Sequence, residues 1–173
     1  MNSKKYPIFL LVHNRYGVLT RVAGLFANRG YNIDNLSVGC TDDESISRMT
    51  IVVDCNESLL EQILQQLRKL IDVIAAELAD PLNSVTRELM LVKIMHSPDN
   101  GGQLLEAINI FRGRVVDMAP ESMIVEITGQ EDKLNAFIKY VEKFGIIELS
   151  RTGITVLDRG QISLISKSEK EST

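Results

Sequence analysis

The sequence predicts an α+β chain of two tandem ferredoxin-like modules, each running strand, helix, strand, strand, helix, strand. Three observations carry that prediction. Apolar segments of strand length alternate with segments whose apolar residues recur at helical spacing. That order occurs twice, separated by the proline-containing break Ala79-Asp80-Pro81-Leu82-Asn83-Ser84. The two copies also match locally where the first helix of each ends: Arg29-Gly30-Tyr31-Asn32-Ile33-Asp34 stands against Arg112-Gly113-Arg114-Val115-Val116-Asp117. The boundaries that follow are 6–80 for the first module, 81–88 for a linker, 89–160 for the second module, and 161–173 for a charged, small-residue tail in which no order is expected.

In the first module, Ile8 to His13 reads as a strand, and Gly17 to Arg29 as a helix with Val18, Leu19, Val22, Leu25 and Phe26 on one stripe, stopped by Gly30. Asn32 to Cys40 and Ser47 to Cys55 read as an antiparallel pair turning at Thr41-Asp42-Asp43-Glu44-Ser45. A helix with Leu59, Leu60, Ile63, Leu67 and Leu70 follows, then a strand from Ile71 to Leu78. The second module repeats the plan. Leu89 to His96 is a strand, Gln103 to Phe111 a helix ended by Gly113, and Arg114 to Met118 with Met123 to Thr128 a strand pair. A helix carrying Leu134, Phe137, Ile138, Val141 and Phe144 leads to a last strand, Ile146 to Arg151. Both helices of a module pack on one sheet face, yet Ile8 to Val12 and Ile51 to Val53 are apolar at successive positions, where alternation would suffice if the other face met water. Something must cover that face, and a second copy of the chain is the cheapest supplier.

Composition removes several function classes. A net charge of −4 and a pI near 5.3 give no electrostatic footprint for nucleic acid, and no helix-turn-helix pattern is present. The longest apolar runs are far short of the ~20 residues of a membrane span, and no signal-peptide pattern opens the sequence. Only His13, His96, Cys40 and Cys55 offer soft ligands, scattered, so no dedicated metal site is expected. A hairpin at 41–45 sets Cys40 opposite a residue near Ser47 rather than Cys55, which argues for reduced thiols in a reducing compartment. Glycine-rich phosphate loops and nucleophile elbows are missing from the sequence.

One stretch remains. Asn14 suits a turn or cap, Gly17 permits close approach to the main chain, and the amides of the first helical turn, from Gly17 through Val18 and Leu19 to Thr20, have no intrahelical partners. Such donors, with the helix dipole behind them, suit a carboxylate. Asn32 offers an amide across a nearby interface, and Ile33 and Leu36 an apolar wall, a set that fits a free aliphatic amino acid. The same residues also serve as caps and turns, and the residues alone leave both readings open. The second module has Val115 where Asn32 stands and a longer, dissimilar loop at Ser97 to Gly102, so the fold by itself does not demand this chemistry.

The run from Asn14 to Phe26, then Arg29-Gly30-Tyr31-Asn32-Ile33, then Ser47-Arg48-Met49-Thr50-Ile51, resembles the small, regulatory subunit of acetolactate synthase. Arg87-Glu88-Leu89-Met90-Leu91-Val92-Lys93-Ile94, Phe111-Arg112-Gly113 and Arg151-Thr152-Gly153-Ile154 extend the likeness over about Ile8 to Gly160. The resemblance implies an N-terminal ACT domain and a related C-terminal domain, with no catalytic centre of the chain's own. It implies a catalytic partner subunit that carries thiamine diphosphate, Mg2+ and FAD and joins two pyruvates into 2-acetolactate and CO2 for branched-chain amino acid synthesis. This chain would bind and stimulate that partner and confer feedback inhibition by valine, leucine or isoleucine. The effector would sit between the ACT domains of a homodimer, on Asn14, Gly17, Asn32 and Ile33, to which the first-turn amides add Val18 and Leu19. The implied setting is a bacterial cytoplasm, or a plastid stroma for an organelle-encoded chain. An enzyme alternative, an acylphosphatase-like phosphate hydrolase, shares the ferredoxin-like plan and would use Asn14 and Arg15 in the loop before the helix.

Overall fold

The computed structural model describes residues 4–161 together with Ser163 and Leu164. The chain divides into two units, the first formed by residues up to Val85 and from Thr155 onward, the second by Thr86–Ile154. Each contains a four-stranded antiparallel sheet in the β-α-β-β-α-β order, so the two tandem ferredoxin-like modules are present.

Unit 1 is built from β1 (Lys4–His13), α1 (Val18–Asn28), β2 (Ile33–Cys40), β3 (Ile46–Cys55), α2 (Glu57–Arg68) and β4 (Val73–Leu78), in sheet order β2-β3-β1-β4. The helices cover one face, where Ile8, Leu10 and Val12 meet Met49, Ile51 and Val53 from β3, Val22 and Phe26 from α1, and Ile63 and Leu67 from α2. The register places Cys40 opposite Ser47, and both cysteines are free thiols.

The other face of this sheet is buried too, with Phe9 and Leu11 no more than 5% exposed. Part of its cover comes from a short strand that the sequence reading missed, β9 (Thr155–Asp158), which pairs with β5 (Ser84–Met95). The Arg48 guanidinium lies 4.9 Å from the Phe9 ring centroid, and its Nε donates to Val156 O at 3.0 Å, with Val156 fully buried. The chain's own C-terminal segment thus supplies cover for which a second copy was expected. The predicted linker 81–88 contains the boundary between the units, between Val85 and Thr86, but strand structure enters it, because β5 begins at Ser84, whose hydroxyl donates to Asp158 Oδ1 at 3.0 Å. Within the predicted tail, Leu164 is buried, so packing continues past residue 160; residues 162 and 165–173 lie outside the described residues.

Unit 2 holds most of β5, then α3 (Gly101–Ile110), β6 (Arg114–Met118), β7 (Ser122–Gly129), α4 (Glu131–Val141), a 3-10 turn (Glu142–Phe144) and β8 (Ile146–Arg151), ordered β6-β7-β5-β8. Here the strands alternate: Met90, Val92 and Ile94 point to the helices while Leu91 and Met95 are 38% and 53% exposed. Phe137 of α4 packs edge-on to Phe111, centroids 5.3 Å apart. The repeated Arg-Gly exits differ in mechanism. After α1 the left-handed residue is Gly30, with Tyr31 N returning to Phe26 O, whereas after α3 it is Arg112 (φ 52). Gly113, expected to end α3 by its conformation, instead leaves room: a Cβ there would meet Val125, Glu126 O and Ile108 at 3.2–3.3 Å.

Glu88 is the most buried charge of unit 2, its side chain 2% exposed, and both its oxygens accept from Arg151, Oε1 from Nε at 2.8 Å. Arg151 also donates to Asn135 Oδ1 at 2.9 Å, which fastens β8 and α4 to the start of β5. The hydrogen bonds to Glu88 raise the Arg151 pKa further above its ordinary value. Neutralising one member strands a partly buried guanidinium. Glu88→Gln is expected to lower the unfolding free energy by about 3 kcal/mol, read from urea denaturation. A loss below about 0.5 kcal/mol would show that water compensates the pair.

Candidate functional site

At the end of β1 the chain is pinned on two sides. His13 N donates to Asp72 O at 2.9 Å, and Asn14 N to Ser45 O at 2.7 Å. The Asn14 side chain does not cap α1. Its Nδ2 donates to Glu44 O at 2.8 Å and meets Cys40 Sγ at 3.7 Å, tying the loop before α1 to the β2-β3 hairpin. Its Oδ1 has no donor among the described residues and remains available to a ligand.

The helix start matches what a small anion needs. Gly17 occupies the N-cap position with φ 81 and offers no side chain, in contrast to α2, where Asn56 Oδ1 accepts from Leu59 N at 2.9 Å. Val18 N donates to Arg15 O at 3.3 Å, whereas the amides of Gly17, Leu19 and Thr20 find no main-chain acceptor among the described residues. Leu19 is 46% exposed and can wall a ligand. Val18 is a core residue, 3% exposed, in keeping with its place on the predicted apolar stripe, so what it offers the helix head is its amide, already shared with Arg15 O.

Arg21 and Asp72 escaped the sequence reading because they lie 51 positions apart with no motif between them. Arg21 Nε donates to Asp72 Oδ2 at 2.7 Å, and its Nη1 is 3.1 Å from where a Gly17 Cβ would stand. Asp72 is 8% exposed and holds β1 through its carbonyl and α1 through its carboxylate. A guanidinium thus lies beside the unpaired amides, adding positive potential.

Asn32 and Ile33 are elsewhere. They follow the other end of α1, and a helix of 11 residues is about 16 Å long. Asn32 is exposed and its Nδ2 donates to Asp34 Oδ1 at 3.2 Å, leaving its Oδ1 open, while Ile33 packs at the edge of the core. Within one chain the predicted residues form two half-sites: Asn14, Gly17 and Leu19 at the head of α1, Asn32 and Ile33 past its tail. β2, which begins at Ile33 directly after Asn32, is an edge strand of its sheet. Among the described residues no group of three or more His, Cys, Asp or Glu could hold a metal ion. No helix among them is long and apolar enough to cross a membrane.

Residues 8–75 match the family model described as the AHAS small subunit-like ACT domain, and residues 87–160 that of the small subunit of acetolactate synthase. The probable acetolactate synthase small subunit of Archaeoglobus fulgidus is 47% identical over 157 residues, covering 90% of this chain and 98% of its own. The acetolactate synthase small subunit of Mycobacterium bovis is 46% identical over 160 residues, 92% of this chain and 95% of that one. The solved structure of the acetolactate synthase small subunit from Thermotoga maritima superposes with a TM-score of 0.85 at 36% identity, covering 92% and 99% of the two chains. None of these comparisons supports the phosphate-hydrolase alternative.

Gly17 tests the helix-start geometry directly. An alanine there must adopt a left-handed conformation and push against Arg21. Gly17→Ala is expected to cost about 1–2 kcal/mol of stability in unit 1, measured by thermal unfolding, while Gly24→Ala, where a Cβ meets nothing, costs none. Equal losses in both variants would contradict this account of the turn.

Proposed function

The chain belongs to the acetolactate synthase small-subunit family, and on that premise we propose that it binds and stimulates the catalytic subunit of that enzyme and carries its feedback inhibition by valine, with leucine or isoleucine as related effectors. The catalytic partner holds thiamine diphosphate, Mg2+ and FAD and performs the carbon-carbon bond formation; this chain performs none of the chemistry. The bacterial and archaeal sources of its relatives support a cytoplasmic setting.

The observation that carries the effector reading is the split of the site into two halves about one α1 length apart. A free amino acid is too short to bridge them inside one chain. Two ACT domains meeting along β2 would bring Asn32 and Ile33 of one protomer to the head of α1 of the other, giving two equivalent sites across a two-fold axis. The carboxylate then takes the amides of Gly17, Leu19 and Thr20, with Arg21 behind them. The ammonium is accepted by the Asn14 and Asn32 side-chain oxygens, and the aliphatic side chain lies on Leu19 and on Ile33 across the interface.

Because the ligand touches both protomers, it stabilises one dimer geometry over another. A coupling of about 1–3 kcal/mol gives a 5- to 150-fold change in the catalytic partner's preference for that geometry, and it is reciprocal. Selectivity among the three aliphatic effectors is weak in energy, since one methylene in an apolar wall is worth about 1–3 kcal/mol.

Mixing variants tests the split site. Asn14→Ala and Asn32→Ala alone are each expected to weaken valine binding at least tenfold by calorimetry. A mixed dimer of the two has one doubly altered site and one wild-type site, so the equilibrated mixture regains tight binding. Failure of the mixture to recover any tight site would overturn the shared-site reading.

A further inference from the structure

On the face of the unit 1 sheet turned away from α1 and α2 lies a cavity of about 360 Å3, whose lining includes none of the residues assigned to the effector. Its floor is Leu11 and Arg48, cross-strand partners on β1 and β3, and Ile46 joins them from the start of β3. The β2-β3 hairpin tip gives one wall and Leu157 and Leu164 the other. Leu157, 60% exposed, adds apolar surface to the lining.

Arg48 sets the chemistry. Its Nε is occupied by Val156 O and its plane by Phe9, and its two terminal nitrogens have no acceptor among the described residues. Burial pushes its pKa down, with Asp158 opposing, so the cation is desolvated more than the protein around it compensates. Spare guanidinium donors facing a cavity call for a planar anion, and a carboxylate fits them bidentately. Three carboxylates share the lining, but two are committed. Asp43 accepts from Ser45 N and Oγ at 2.8 and 2.6 Å, which holds its pKa below the usual range, and Asp158 accepts from Ser84 Oγ. Asp42 is exposed and carries no partner among the described residues.

A guanidinium with free donors, an uncommitted carboxylate and an aliphatic surface in one cavity complement a zwitterion with an aliphatic body. We propose that this cavity is a second amino-acid site of unit 1, taking a free aliphatic α-amino acid with its carboxylate on Arg48, its ammonium on Asp42 and its side chain against Leu11, Ile46 and Leu157. It lies within one protomer and needs no second copy. It also touches the hairpin whose Glu44 carbonyl holds the Asn14 side chain, so an occupant here bears on the loop at the head of α1.

The test is calorimetric titration of the full chain with L-leucine, 4-methylpentanoate (no ammonium) and 3-methylbutylamine (no carboxylate). In the Asn32→Ala chain, leucine binding is expected to persist at one per chain, with both analogues at least tenfold weaker. Adding Asp42→Asn, a change at an exposed side chain, is expected to weaken leucine at least tenfold and leave 4-methylpentanoate unchanged. Leu157→Ala weakens all three probes. The proposal is overturned if the Asn32→Ala chain binds no leucine, or if its residual binding changes less than twofold on Asp42→Asn and Leu157→Ala.

Discussion

Unit 1 depends on five consecutive residues of β1, Ile8 to Val12, being buried on both faces. An ordinary antiparallel strand over a two-helix layer hides only alternate side chains. Here Ile8, Leu10 and Val12 anchor the helix layer, while Phe9 and Leu11 require cover on the opposite side. The need for that cover draws β9 and Leu164 back onto the first unit after the chain has completed the second. It also buries Arg48 over Phe9, and so produces both a closed fold and a charged cavity.

The same strand sets the candidate effector site. β1 ends at His13 on the carbonyl of Asp72, and the next residue is fastened to the β2-β3 hairpin, so the head of α1 is positioned by the sheet rather than by a capping side chain. The amides left unpaired there cost stability in the isolated chain, as unsatisfied donors do, unless water or a ligand meets them. Under the proposed function, a carboxylate meets those donors, and Asn32, just before edge strand β2 and past the far end of α1, completes the set by association of two copies.

Most of the fold was legible in the residues because helix stripes and strand runs are local patterns. Predicted and observed elements agree to within a few residues, and the Cys40 to Ser47 register followed from turn length alone. What was not legible depends on pairs distant in sequence. β9 is a four-residue strand whose apolar content, Val156 and Leu157, is too short to announce itself. The clamp between Arg21 and Asp72 has no spacing rule. Arg112, not Gly113, takes the left-handed conformation after α3, since the pressure on Gly113 comes from β7 rather than from its own dihedral. At the site, the order Asn14-Arg15-Tyr16-Gly17 located the helix head and helix phase put Val18 on the apolar stripe, where it is buried; that Arg15 O takes the Val18 amide depends on the shape of the turn and was not legible.

The account stands on an aliphatic amino acid bridging two protomers at the head of α1. A crystal structure of the full chain grown with valine tests it most directly. The account predicts valine with its carboxylate on the amides of Gly17, Leu19 and Thr20 of one protomer and its ammonium within hydrogen-bond reach of Asn32 of the other. Valine held at that helix head by one protomer alone, or an empty helix head with valine lodged in unit 2, would contradict it.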